Sequence, residues 1–186
     1  MLCHNPAPPR CPLVAGLALA ACLAGSVTAG QPRPPFLWPL HEQLQHVLPQ
    51  ATSFSGREGS PPHFKAYGEA PAAGTRALIG VAFWTTDVQP LERGYDGPIK
   101  MLIGMDTAGQ LTRVLVVDHH EPYGYFSVDA PEFAPQFQGK RIRDAFRIGS
   151  DVDAVSRATI TMTSATRAMR NSARLVARHV LSADSR

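Results

Sequence analysis

Ile99-Lys100-Met101-Leu102-Ile103-Gly104-Met105-Asp106-Thr107-Ala108-Gly109-Gln110-Leu111-Thr112-Arg113-Val114-Leu115-Val116-Val117 is the stretch that decides the fold. Ile99, Met101, Ile103 and Met105 recur at every second position, the period of a strand, and Asp106-Thr107-Ala108-Gly109 has the turn chemistry of a hairpin. Leu111, Arg113, Leu115 and Val117 carry the alternation into the return strand. An antiparallel hairpin is therefore expected at the centre of the domain.

Upstream of it, residues 77–85 are apolar, β-prone and short, which predicts a buried strand. Gly94-Tyr95-Asp96-Gly97-Pro98 is a turn cluster between that strand and the hairpin. Residues 53–75 are punctuated by glycine and proline and predict a loop, with a short strand at 63–67. A short helix is expected over 41–48, with Leu40, Leu44, Val47 and Leu48 near one face and Pro49 closing it, after an extended proline-rich linker at 31–39.

Downstream come an irregular aromatic stretch, 122–137, and a basic segment, 140–147. Ala158, Ile160 and Met162 then alternate with Thr159, Thr161 and Thr163, which predicts one more strand. Thr163 or Ser164 is expected to cap a helix over 165–181, with Ala165, Met169, Ala173, Val176 and Val180 inward and Arg167, Arg170, Arg174 and Arg178 outward. There is no internal repeat. Hairpins with helices beside them predict an α+β class, an antiparallel sheet with flanking helices.

A length of 186 residues suits one domain with a real core. The net charge of +3 is not gathered into a block, so charge indicates neither nucleic-acid binding nor a polybasic membrane patch. Residues 1–29 hold a single formal charge, Arg10, then an apolar run and small residues, as a secretory leader does. Val27-Thr28-Ala29 offers a cleavage site, and Leu19-Ala20-Ala21-Cys22 offers a bacterial lipobox as the competing route. The expected location is periplasmic, either free or tethered by lipid at Cys22. The organisation read from this is leader 1–29, linker 30–40 and domain 41–186. Cys3, Cys11 and Cys22 all lie in the leader, so a chain cleaved after Ala29 has no disulfide, thiolate-bound metal, iron–sulfur cluster or thiol nucleophile.

The segment that carries chemistry is Asp153-Ala154-Val155-Ser156-Arg157-Ala158-Thr159-Ile160-Thr161. It resembles the flavinylation motif of the FMN-binding domain family, in which Asp, two variable residues, Ser or Thr, usually Gly, then Ala precede the threonine that carries FMN. Asp153, Ser156 and Ala158 match, Arg157 replaces the usual glycine, and Thr159 falls at the attachment position. Leu48-Pro49-Gln50-Ala51, Phe54, Pro61-Pro62, Phe83-Trp84-Thr85-Thr86-Asp87, Gly94 to Ile99, and His119-His120-Glu121-Pro122 occur in the order seen in the periplasmic domain of NosR/NirI-type proteins. The likeness extends from about His41 to the end, and such domains are related to the flavinylated subunits of Rnf and Nqr complexes.

The resemblance implies FMN held as a phosphoester on Thr159, installed from FAD by an exported flavin transferase. It implies electron exchange with redox partner proteins at or near the membrane, in respiratory or nitrous-oxide-reduction-linked pathways, and no enzymatic substrate of its own. Thr161 joins the motif's polar positions; Arg157 is placed to meet the phosphate. Gly94, Tyr95 and Gly97 offer a close backbone approach to the cofactor. His119, His120 and Glu121 are read as strand-end residues of which one imidazole and the carboxylate approach the flavin or its phosphate; adjacent histidines on a strand point to opposite faces and bind one metal ion poorly. Tyr123, Tyr125 and Phe126 are available for stacking on the flavin ring. The chain, ending at Arg186 without the membrane helices and cysteine-rich segments of those relatives, reads as the flavin domain alone. The rival reading is a non-redox binding or regulatory module that keeps the fold without covalent flavin.

Overall fold

The computed structural model describes residues 33–69 and 76–181. The leader with its two processing routes, and residues 30–32 of the linker, lie outside the described residues. Five strands form one antiparallel sheet in sequence order: β1 (Ser53–Phe54), β2 (Phe64–Glu69), β3 (Arg76–Trp84), β4 (Lys100–Asp106) and β5 (Leu111–Asp118). Helix α1 (Leu40–Val47) precedes the sheet, α2 (Thr85–Val88) is a single turn after β3, and α3 (Thr159–Val176) closes the chain before a wider turn, Ala177–Leu181. The expected α+β class is the observed one.

The pleat sorts the core into two layers. Val81 and Phe83 of β3, Met101, Ile103 and Met105 of β4, and Val114 of β5 face the apolar stripe of α3, namely Met162, Ala165, Met169, Ala173 and Val176. Ala82, Leu102, Leu115 and Val117 face the other way together with Phe64 and Ala66 of β2, onto Leu44 and Val47 of α1 and Leu48 just after it. Each large apolar side chain fully removed from water here supplies about 1.5–3 kcal/mol, and the sheet is covered on both faces.

The central hairpin, the strand at 77–85 and the helix at 41–48 stand where the sequence reading put them, within a residue or two. Asp106 closes the hairpin turn by accepting the Ala108 and Gln110 amides at 2.9 and 2.8 Å.

Four expectations are corrected. Leu111, Arg113, Leu115 and Val117 do not share a face: Ile103 pairs with Val114 while Met105 pairs with Leu111. An extra residue in β5 therefore puts Leu111 and Leu115 in opposite layers. The short strand expected at 63–67 is β2, which runs on to Glu69, but the part expected to be loop also holds β1, which extends the sheet; residues 70–75 lie outside the described residues. Part of the linker is folded: Pro35–Leu37 forms a 3-10 turn against β5, and the Trp38 indole donates to Arg33 O at 2.7 Å.

Residues 158–163 are not a strand: α3 begins at Thr159, with Ala158 in the cap position that Thr163 or Ser164 was expected to fill. The local alternation of Thr with Ala, Ile and Met suits a strand, but Ala158 and Met162, four residues apart, are both buried in the α3 layer, as a helical period requires.

Candidate functional site

The chain reaches the start of α3 through a loop with a left-handed step: Arg157 has φ of 69°. The Ala158 methyl, 3% exposed, drops into the core, and the Met162 amide returns to Ala158 O at 2.9 Å as the first helical bond. Thr159 is exposed at the first helical position. No side chain caps this end, and the first turn contains no acidic residue. The uncapped amides of that turn and the helix dipole make this a favourable place for an anion.

Thr161 turns the opposite way from Thr159. It is 4% exposed and donates its hydroxyl to the Glu121 carboxylate. Glu121, 6% exposed, also accepts the backbone amides of Tyr95 at 3.1 Å and Asp96 at 3.0 Å. One carboxylate thus joins three segments: the loop after α2, the loop after β5 and the first turn of α3. Gly94 is obligatory beside it, because a Cβ there would lie 2.7 Å from Glu121 Cδ and 3.0 Å from Ile99 Cδ1. The Gly94 amide donates to Gly97 O at 2.7 Å, and Gly97 has φ of 139°, so the 94–97 segment is a tight turn delivered to the helix end.

His119 and His120 follow the last residue of β5, so they are loop residues rather than strand-end neighbours on opposite faces. His119 Nδ1 accepts the Glu121 amide at 3.0 Å; its Nε2 therefore carries the proton and donates to Asp129 at 2.9 Å. A Cβ at Gly124 would come within 2.9 Å of Asp129 Oδ2 and 3.0 Å of His119 Nε2. His119 serves this scaffold, His120 is exposed, and Glu121 is spent on the three donors. Among the described residues no three or more His, Cys, Asp or Glu side chains are grouped to hold a metal ion.

Asp153 and Ser156 are exposed; the Asp153 amide is held by Gln136 Oε1 at 2.7 Å. The structure therefore brings Gly94, Tyr95, Gly97, Glu121 and Thr161 into one hydrogen-bonded unit and leaves Asp153, Ser156, Arg157 and Thr159 open to solvent along the approach to α3. Tyr95, Tyr123 and Tyr125 are 70%, 48% and 72% exposed on the two loops that Glu121 ties together. Phe126 packs edge-on against Tyr125 with ring centres 4.7 Å apart.

A further clasp escapes the sequence reading. Glu92, in the loop after α2, accepts Ser164 Oγ at 3.1 Å and Arg167 Nε at 2.8 Å. The Arg167 hydrogen bond leads the causes that hold the Glu92 carboxyl below its ordinary value. No local pattern announces a partner 72 residues away. Arg174, expected to face outward, donates to the carbonyls of Ile142 and Asp144, both at 2.8 Å, and so pins the basic segment to α3.

Clefts lie near this scaffold. One of about 390 Å³ runs beside α3, lined by Arg147, Ile148, Thr163, Thr166, Arg167 and Arg170. Another, of about 610 Å³, shares only His119 with the residues named for the cofactor. Among the described residues no helix is long and apolar enough to cross a membrane.

Residues 94–174 match the family model of the FMN-binding domain, a span that opens at Gly94 and contains Glu121, Thr159 and Glu121's partner Thr161. The match makes this segment a domain of that family and gives FMN as its cofactor. The chain is also similar to a protein of Vibrio vulnificus (strain YJ016) described as a component of an ion-translocating oxidoreductase complex, at 29% identity over 96 residues. That alignment covers 46% of this chain and 46% of the relative, so it spans about half the length of either protein.

Proposed function

Taking residues 94–174 as an FMN-binding domain, we propose that the protein is an exported electron-transfer flavoprotein that holds FMN as a phosphoester on Thr159. The observation that carries this reading is an exposed threonine hydroxyl at an uncapped helix N-terminus, in the matched segment. The donor set fits the group. Unpaired first-turn amides suit a phosphate, the Gly94 turn is held by Glu121 against the same helix turn, and exposed tyrosines on both loops suit an aromatic ring system.

Thr161 and Thr163 follow the attachment residue, but Thr161 is buried on Glu121 and lies on the far side of the helix. In attachment Thr159 would supply the oxygen that displaces AMP from the FMN phosphorus of FAD, breaking the pyrophosphate bond and giving up its hydroxyl proton. Flavin supplies one- and two-electron transfer when bound, and the protein's part is to position it and set its surroundings.

The description of the relative from Vibrio vulnificus supports redox partners in an ion-translocating complex, and the leader read at 1–29 supports export, with cleavage after Ala29 or lipidation at Cys22. Service in a nitrous-oxide-reduction-linked pathway rests on the NosR-type resemblance alone. One observation favours the rival non-redox module: Arg157 fills a left-handed position where the family motif usually has glycine.

Co-expression with a flavin transferase tests the proposal. Wild type should gain the mass of FMN less one water and a yellow chromophore that survives denaturation. Thr159→Ala should stay folded and colourless. Wild type that remains unmodified, or Thr159→Ala that remains yellow after denaturation, refutes the assignment.

A further inference from the structure

Arg157 has a feature that the attachment reading does not use. At φ of 69° an L-residue sits where its Cβ crowds the following carbonyl, a conformation glycine adopts freely. The chain keeps the left-handed turn and fills it with arginine. The side chain is exposed, and among the described residues nothing receives its guanidinium; Asp153, four residues before it, is exposed and equally unpaired. Two residues of chain span at most about 7 Å, so an extended arginine side chain reaches whatever is bonded to the Thr159 oxygen. The same helix end has neither a side-chain cap nor an acid to compete for the cation.

We propose that Arg157 is a positioning residue for the flavin phosphate: with FMN joined to Thr159, its guanidinium donates to the non-bridging phosphate oxygens and offsets the strain of its own backbone. A planar guanidinium meets two phosphate oxygens at once, which also limits the swing of the ribityl chain beyond them. The strain persists in the unmodified protein and is compensated only after attachment. This inference rests on Thr159 as the attachment residue.

The test compares wild type, Arg157→Gln and Arg157→Gly, each made with and without co-expressed flavin transferase. Glutamine keeps the Cβ and its strain but removes the cation; glycine removes both. Without flavin, Arg157→Gln should melt with wild type, and Arg157→Gly should melt roughly 2–4 °C higher. Flavinylation should then raise the melting temperature of wild type about 2–4 °C more than that of Arg157→Gln. The excess should vanish near about 1 M salt, where such a pair is screened. The ³¹P resonance of the phosphodiester should also shift between wild type and Arg157→Gln.

Equal gains on flavinylation for all three proteins, with an unmoved ³¹P resonance, overturn the inference while leaving the attachment intact. Modification of Arg157→Gly alone overturns it as well, because the arginine then obstructs attachment. Absence of an adduct from wild type and Arg157→Gly alike, read by intact mass, overturns the attachment reading and this inference together.

Discussion

Replacing Glu121 with alanine should destabilise the domain and release the 94–97 turn from α3. The carboxylate is buried and accepts the Tyr95 amide at 3.1 Å, the Asp96 amide at 3.0 Å and the Thr161 hydroxyl. Hydrogen bonds to a charged acceptor contribute about 1.5–3 kcal/mol each, so three orphaned donors set an upper bound of roughly 5–9 kcal/mol. Tyr95 and Asp96 are exposed at their side chains, so water can enter and re-satisfy their amides, which lowers the expected loss to about 3 kcal/mol. For a chain of this size that is a fall in melting temperature of roughly 6–12 °C. Thermal melts followed by circular dichroism measure the loss, and hydrogen exchange at the Tyr95 and Asp96 amides measures the release. Glu121→Gln, which turns an amide donor towards those N–H groups, should lose roughly half as much. A change within about 0.5 kcal/mol, with exchange at both amides unchanged, would refute the claim that this carboxylate joins the three segments.

Gly94→Ala should be destabilised by about 1–3 kcal/mol in the same melts, because the new methyl meets Glu121 Cδ at 2.7 Å; a neutral result would mean the turn can shift without cost. Arg174→Ala removes two donations at 2.8 Å to Ile142 and Asp144 carbonyls, and faster proteolysis within 140–148 together with a loss of about 1–2 kcal/mol is expected. Stability should also fall with acidification. Glu92 is held below its ordinary value of 4.5, chiefly by the Arg167 hydrogen bond, so its contribution is complete above about pH 4.5 and lost as pH falls through the lower folded value. Burial, then the Arg113 charge, lowers His46 from 6.5; the unfolded chain takes up that proton first, so this contribution is complete above about pH 6.5 and declines below it. Melting temperatures from pH 7 to 3 should therefore descend in two stages, and Glu92→Gln should flatten the second one; an unchanged acid limb in that variant would contradict the assignment.

The parts of the fold legible in sequence are those with one dominant period. The β4–β5 hairpin has a turn whose acceptor, Asp106, is local, and the inward stripe of α3 repeats at helical spacing. The start of α3 reads wrongly because alternation over 158–163 satisfies a period of two, while the contacts that decide the matter are tertiary: Ala158 enters the core and Thr161 finds an acceptor 40 residues away. The bulge in β5 is invisible for a similar reason, since only pairing with β4 shows where the extra residue goes. At the site, the motif resemblance singles out Thr159, and its exposure fits that role, whereas a strand would give Thr161 the same surroundings. Glu121 stands out for its chemistry, yet its partners Tyr95 and Asp96 lie 26 and 25 positions back along the chain. The left-handed φ at Arg157 gives a physical reason for the glycine usual at that place in the motif.

Tryptic mapping of protein co-expressed with a flavin transferase shows directly whether the Thr159 hydroxyl carries the cofactor. Trypsin cuts after Arg157 and Arg167, so Ser156 falls in the peptide 148–157 while Thr159, Thr161, Thr163, Ser164 and Thr166 fall in 158–167. The FMN mass, less one water, is expected on 158–167 alone, with fragment ions assigning it to Thr159, the exposed residue at the first helical position. Flavin on 148–157, fragment ions assigning it to Thr161 or Thr163, or an unmodified 158–167 peptide would contradict attachment at Thr159.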